Sequence, residues 1–291
     1  MENTHNAHAS TAELVDRAME RINYRYDHRH EPPVIAWGFE DLDAMTFGIQ
    51  RPTVTIIGAR PSMGKTAFLI NIALNVALGQ NKPVAIFTTE DSAVQTVHRM
   101  LTIRAQTGAN CLRTANLQGD DWANLALESA RLKEAPLSIY DRCTTFQMLA
   151  EKCRLLKKRP DGLDVVFIDD LQTLLLGEFQ NIRPENHTQM IWQLKSLARE
   201  LETAIIITSN LSRATEYRSN KRPQISDIRG GGVIGDGADI IMMIYREEYY
   251  YPETEFRGEA EIIICRQKDG PVGTAELAYN ASTCTFSNMK R

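Results

Sequence analysis

From residue 35 onward, continuous apolar runs alternate with amphipathic stretches. The runs VTIIGA (54–59), VAIFTTE (84–90), LSIYD (137–141), DVVFIDD (164–170), AIIITSN (204–210), DIIMMIY (239–245) and AEIIICR (260–266) read as strands. Helical spacing of apolar residues fills 66–79, 92–107, 121–134, 145–158 and 187–201. Unbroken β-branched runs between helices mark strands covered on both faces, as in a parallel sheet. The last two strands, and a third at GTAELAY (273–279), follow one another without helices, which predicts an antiparallel edge. The pattern predicts an α/β fold: one doubly wound domain with a mainly parallel sheet over 35–291, without internal repeats.

The first 34 residues differ. Residues 1–9 are polar and read as a disordered tail. Ser10 and Glu13 form a capping-box signature, and Leu14, Val15, Ala18, Met19 and Ile22 follow at helical spacing. The proline-ended YRYDHRHEPP (24–33) then reads as a linker. The short amphipathic helix needs a partner for its stripe. Its own domain and a neighbouring subunit fit equally well.

Composition narrows the class. Hydrophobic residues make up 43% of the chain, enough for a sizeable core, and the formal net charge is −4. That balance excludes a wholesale basic surface but allows a local basic patch. The five cysteines, Cys111, Cys143, Cys153, Cys265 and Cys284, are scattered without a C-x-x-C pair. Reduced thiols in a cytosol fit them. No run approaches the roughly 18 apolar residues of a membrane span. His5, His8, His28 and His30 read as solvated side chains rather than metal ligands. EEYYYPETEF (247–256) reads as an exposed hairpin or partner surface, and Met242 and Met243 as core.

The chemistry begins at ARPSMGKT. A small residue, four variable ones and Gly-Lys-Thr form the permissive P-loop: Ala59, Arg60, Pro61, Ser62, Met63, Gly64, Lys65 and Thr66. It lies between a strand and a helix, where backbone N–H groups can face the phosphates of ATP. Lys65 would add charge toward the β- and γ-phosphates, and the Thr66 hydroxyl would ligate Mg²⁺. An aspartate ending an apolar strand completes such a site, and Asp169 fits, with Asp170 read as a solvated loop acid. Hydrolysis also needs a base for water. Glu90, beyond a strand end, projects to where ligands collect in such sheets. The bland alternative is an acid favouring the dipole of the helix starting near Ser92; Asp91 is the weaker candidate base. Further on, residues 213–229 hold five basic residues and two acids, and 230–237 hold five glycines. Arg222, Arg229, Gly230, Gly231 and Gly232 suit sequence-blind contact with single-stranded DNA. A solvated surface loop is the alternative.

Taken together, ARPSMGKTAF, IFTTED, IDDLQTL, SNLSRATEYRSNKRPQISDIRGGGVIGDGADIIMMIYR and IICRQKDGPVGT resemble the replicative hexameric DNA helicases of the DnaB type, in order over roughly residues 11–286. The resemblance implies a RecA-like motor domain in a homohexameric ring, with ATP between subunits and single-stranded DNA in the channel. It implies that Glu90 is the catalytic base. It implies that Gln172 and Asn210 couple the γ-phosphate to the DNA loops, and that the helix at 11–24 is a linker helix docking on the adjacent subunit. A helicase loader or primase would act in trans. The departures are specific. Asn210 stands where glutamine is usual, so a shorter amide is expected to alter the coupling. The Lys-x-Arg pair given to the neighbour's γ-phosphate reads Arg266-Gln267-Lys268, with its charges reversed. Gly230 and Gly235 replace usual acids. The family's N-terminal helical domain does not precede the linker helix, as in a compact phage or plasmid motor, a fragment, or a system where another protein supplies it. An ATP-switched assembly or loading factor, or a signalling ATPase of the same fold, is the competing expectation.

Overall fold

The computed structural model describes residues 10–27, 35–228 and 237–290. The tail 1–9, most of the linker, and Arg229 with Gly230, Gly231 and Gly232 lie outside them. The chain divides into two compact units, Met1–Pro33 and Val34–Arg291.

In the first unit, helix α1 spans Thr11–Asp27. The Ser10 hydroxyl accepts from the Glu13 amide and the Glu13 carboxylate from the Ser10 amide, at 3.2 and 2.8 Å. This reciprocal cap satisfies two otherwise orphaned donors. Leu14, Val15, Met19 and Ile22 are all about half exposed.

In the second unit, nine strands form one sheet in the order β3-β2-β4-β5-β1-β6-β7-β8-β9. They are β1 (Val54–Ala59), β2 (Val84–Thr88), β3 (Leu137–Tyr140), β4 (Val165–Asp169), β5 (Ala204–Asn210), β6 (Ile240–Tyr245), β7 (Glu259–Gln267), β8 (Gly273–Asn280) and β9 (Thr285–Asn288). Pairings among the first six are parallel. From β6 to β9 they are antiparallel, as the missing helices predict.

The helices are α2 (Glu40–Thr46), α3 (Lys65–Leu74), α4 (Ala93–Ala105), α5 (Ala109–Thr114), α6 (Asp121–Glu134), α7 (Phe146–Lys157), α8 (Leu171–Glu178), α9 (Pro184–Leu201) and α10 (Glu247–Tyr250). One core lies on the α3 and α4 side, where Ile57, Phe167, Ile206 and Met242 meet Phe68, Ile72 and Met100. The other packs Ile56, Ile168, Ile207 and Met243 against Leu149, Leu174 and Leu194 of α7, α8 and α9. Strand residues thus alternate between two dry layers, which is why the runs carry no polar face. Met242 and Met243 are core residues, one on each side.

Several boundaries move. The helix expected over 92–107 ends at Ala105, because Gln106 turns left-handed at φ 53°, and α5 follows separately. Pro184 starts α9 before residue 187, as its fixed φ favours a first-turn position. Strand β9 and helix α8 add to the expected elements. EEYYYPETEF opens as the helical turn α10 rather than a hairpin. Strand β2 ends at Thr88, so Glu90 lies two residues beyond it.

Candidate active site

The carboxyl ends of β1, β2, β4 and β5 meet at one cleft of about 470 Å³. The P-loop leaves β1 and enters α3 through Gly64, which has φ 94°. A side chain there would be strained, and its Cβ would also approach the Phe286 ring at 3.1 Å. Pro61, Ser62, Gly64, Lys65 and Thr66 line the cleft together with Glu90, Arg99, Asn210 and Tyr279.

Lys65 Nζ donates to Asn210 Oδ1 at 3.0 Å and lies 3.4 Å from Asp170 Oδ2. Asn210 Nδ2 donates to the same Asp170 oxygen at 2.6 Å. The Asn210 amide thus bridges Lys65 and Asp170. The expectation for Asp170 is corrected: it is fully buried, and its other oxygen caps α8 through Thr173. A buried carboxylate needs such partners, and Lys65 supplies the charge. Gln172, in the first turn of α8, reaches the last two residues of β5. It donates to Ser209 Oγ at 2.9 Å and accepts from the Asn210 backbone N–H at 2.9 Å.

Thr66 Oγ1 donates to Asp169 Oδ2 at 2.7 Å. Thr208 Oγ1 donates to the other oxygen, Asp169 Oδ1. A hydroxyl and a single carboxylate are hard oxygen donors, few in number. That set suits Mg²⁺, which takes its remaining oxygens from phosphates and water. Among the described residues there is no cluster of three or more acidic, histidine or cysteine ligands that would hold a metal unaided.

Glu90 stays solvent-exposed at the cleft. Partial desolvation raises its pKa above the ordinary 4.5; Asp170 raises it further, Lys65 opposes, and Asp169 and Asp91 add smaller increments. Ser92 and Gln95 cap α4 reciprocally, and the first turn of that helix holds no acid. Asp91 is engaged by Arg99 at 2.7 Å.

Other side chains fall differently. Arg60 lines the cleft, but its guanidinium turns to Glu216 and the Leu211 carbonyl. Arg222 pairs with Glu261 at 2.5 Å and covers the Tyr245 ring at 4.8 Å. Arg266 and Lys268 do not line the chain's own cleft. A register shift between Ile241 and Met242 sets Arg266 opposite Ile241 and Gln267 opposite Ile240. Gln267 reaches the Met45 carbonyl at 3.4 Å on the α2 side, which leaves Arg266 to the other face, while β7 ends at Gln267 and Lys268 lies in the turn beyond it. Sequence reasoning missed Thr208, Arg99 and Tyr279. Thr208 carried a signal, being a polar residue within an otherwise apolar strand beside Asp169. Tyr279 had none, because only the folded edge brings β8 to the P-loop.

The profile of the DnaB-like helicase C terminal domain family matches residues 34–288. The chain belongs to this family. It is 40% identical over 281 residues to the replicative DNA helicase DnaB of Geobacillus stearothermophilus, covering 96% of this chain and 62% of that protein. Identity to the replicative DNA helicase DnaC of Bacillus subtilis is likewise 40% over 281 residues, with 96% and 62% covered. This DnaB-like domain thus spans 62% of the length of both relatives. Its fold superposes on the solved ATPase domain of another protein with a TM-score of 0.88 at 32% identity, covering 95% of this chain and 99% of that one. A DnaB-like replicative helicase, described with its interactions with primase, gives 0.87 at 31% identity, covering 99% and 69%. The fold is therefore the RecA-like, doubly wound P-loop architecture. No described helix of this DnaB-like domain is long and apolar enough to cross a membrane.

Proposed function

We propose that the chain is an ATP-hydrolysing DNA helicase motor that moves on single-stranded DNA as a homohexameric ring. The carrying observation is the gathering of Lys65, Thr66 and Glu90 around one cleft, with Asp169 bonded to Thr66 behind it, in a DnaB-like domain.

The P-loop amides and Lys65 hold the triphosphate. Binding there draws Lys65 from Asn210 and Asp170, so both lose a partner when the site fills. Thr66 and Asp169 would hold Mg²⁺, with Thr208 orienting the carboxylate. The ion would neutralise phosphate charge as it develops. Glu90 takes a proton from the attacking water. Arg266 and Lys268 serve a neighbouring subunit's phosphates. Gln172 and Asn210 report the site's state along β5. Arg229 and Gly230–Gly232 take the phosphate backbone of a single strand; Arg222 joins only by leaving Glu261. A loader or primase acts in trans, and the setting is the bacterial cytoplasm.

Arg229→Ala is expected to weaken binding to single strands of any base sequence. Parental affinity should fall with salt, with a slope of about −0.7 per neutralised phosphate, and the variant's slope should be shallower by about one such step. Equilibrium titration of labelled oligonucleotides across salt concentrations checks this. Unchanged affinity, or a strong base preference, overturns the DNA-loop assignment.

The base role predicts a pH dependence. The ionised form of Glu90 is required, and it is lost as pH falls through a pKa raised above 4.5. The acid limb of kcat/KM for ATP should therefore lie above that value. A limb at or below it argues against Glu90 as the base.

Deleting residues 1–24 is expected to weaken the ring without unfolding the second unit. The half-exposed stripe of α1 has the character of an inter-subunit contact. Mass determination at micromolar concentration, paired with thermal melting, checks it. A truncated chain that stays hexameric contradicts the docking role.

A further inference from the structure

Among the described residues, none donates a hydrogen bond to the Glu90 carboxylate, yet the chain on either side of it is tied down. On the near side stands Thr89, one residue past the end of β2. The pairing of β2 with β4 runs out at Thr88 opposite Asp169. Thr89 carries the contact one step further. Its N–H and its hydroxyl both donate to the Asp169 carbonyl, at 2.9 and 2.8 Å, and the hydroxyl accepts from the Asp170 N–H at 3.2 Å.

On the far side stands Asp91. Its carboxylate meets Arg99 of α4 at 2.7 Å, and its carbonyl accepts from the Thr88 hydroxyl at 2.9 Å. Just beyond, the Ala93 N–H donates to Asp141, which follows β3, at 2.8 Å. The bend that carries Glu90 is therefore fastened to the ends of β3 and β4 and to α4. A short exposed connection without such ties would be mobile. Thr89 and Asp91 line no part of the cleft, so their bonds serve the bend and not the nucleotide.

We propose that Thr89, and Asp91 through Arg99, are positioning residues that hold Glu90 in register with Asp169. The proposal rests on the reading of Glu90 as the base. The attacking water has to meet the base and the γ-phosphate together, and a misplacement of about 1 Å costs on the order of 10²-fold in rate. Thr89 fixes that geometry because it binds the very strand end that presents Asp169 to Thr66.

The test measures single-turnover ATP hydrolysis by the full chain, with the Kd for ATP and a thermal melt alongside. Thr89→Val keeps the branched shape but can neither donate nor accept. It should lower the rate about tenfold or more while the Kd stays within about twofold. Thr89→Ser keeps the hydroxyl and should stay within about threefold of the parent. Asp91→Ala should cost about threefold or more, a smaller loss because its pair with Arg99 is partly exposed. In a Glu90→Gln background Thr89→Val should cost less than about twofold, since no base remains to be placed. A merely structural role would cost the same in both backgrounds and would not be rescued by serine. If Thr89→Val does not fold, Asp91→Ala decides by the same comparison. A folded variant with the parental rate overturns the positioning role of the residue it alters. A loss that persists undiminished in the Glu90→Gln background overturns the proposal and leaves Glu90 as the base. Parental turnover by Glu90→Gln itself overturns the base reading, and the positioning with it.

Discussion

Glu90→Gln is expected to bind ATP with near-parental affinity and to lose roughly 10²–10⁴-fold in turnover, the usual worth of general-base assistance. The amide preserves size and polarity but cannot take a proton. Glu90 is not hydrogen-bonded into the Lys65–Asn210–Asp170 cluster, so the substitution leaves that cluster and the P-loop standing. Its raised pKa makes it a better base than an ordinary carboxylate, at the cost of an earlier loss of activity in acid. Steady-state hydrolysis with a parallel nucleotide-binding titration separates the two effects. Near-parental turnover would remove Glu90 from the mechanism.

The reversed Arg266–Lys268 pair should show an effect of similar size. A guanidinium acting on a neighbour's γ-phosphate is worth roughly 10³–10⁵ in turnover. Lys268 offers a compact point charge where the family's planar fork is usual. The register shift in β7 and the anchoring of Gln267 to Met45 put Arg266 on the face away from α2, with Lys268 in the turn that follows the strand. The pair lines no part of its own chain's cleft. Arg266→Ala and Lys268→Ala should each slow hydrolysis at least about tenfold, as partners sharing one task, without blocking ATP binding. Each should recover activity when mixed with Glu90→Gln subunits, which bring an intact pair to the variant's own P-loop. Lys268→Arg should remain active. If both alanine variants hydrolyse ATP at the parental rate with DNA present, the pair does not act in trans, and an assembly or loading factor becomes the better reading.

Much of the architecture could be read from periodicity. Strands β1, β2, β4, β5 and β6 are mostly apolar, without a polar face, because helices cover both faces, and their sequences say so. The edge was legible through the absence of any long helical pattern after residue 239, where α10 is only a four-residue turn. What escaped was set by tertiary geometry. Gln106 ends α4 in a left-handed turn that no local signal announces. Asp170 looked like a loop acid, because sequence cannot show that Lys65, 105 residues before it, and Asn210, 40 residues after it, close over it. Arg60 reads as one more variable P-loop position until Glu216 comes beside it. Thr66 and Asp169, by contrast, were paired by motif logic and do meet at 2.7 Å.

The central claim is tested most directly by the ATPase rate with and without single-stranded DNA, on a sample whose mass is determined in the presence of nucleotide. A motor on a single strand predicts a hexamer whose hydrolysis rises when the strand is added. A chain that hydrolyses ATP at one rate regardless of DNA, or that stays monomeric in nucleotide, would contradict it.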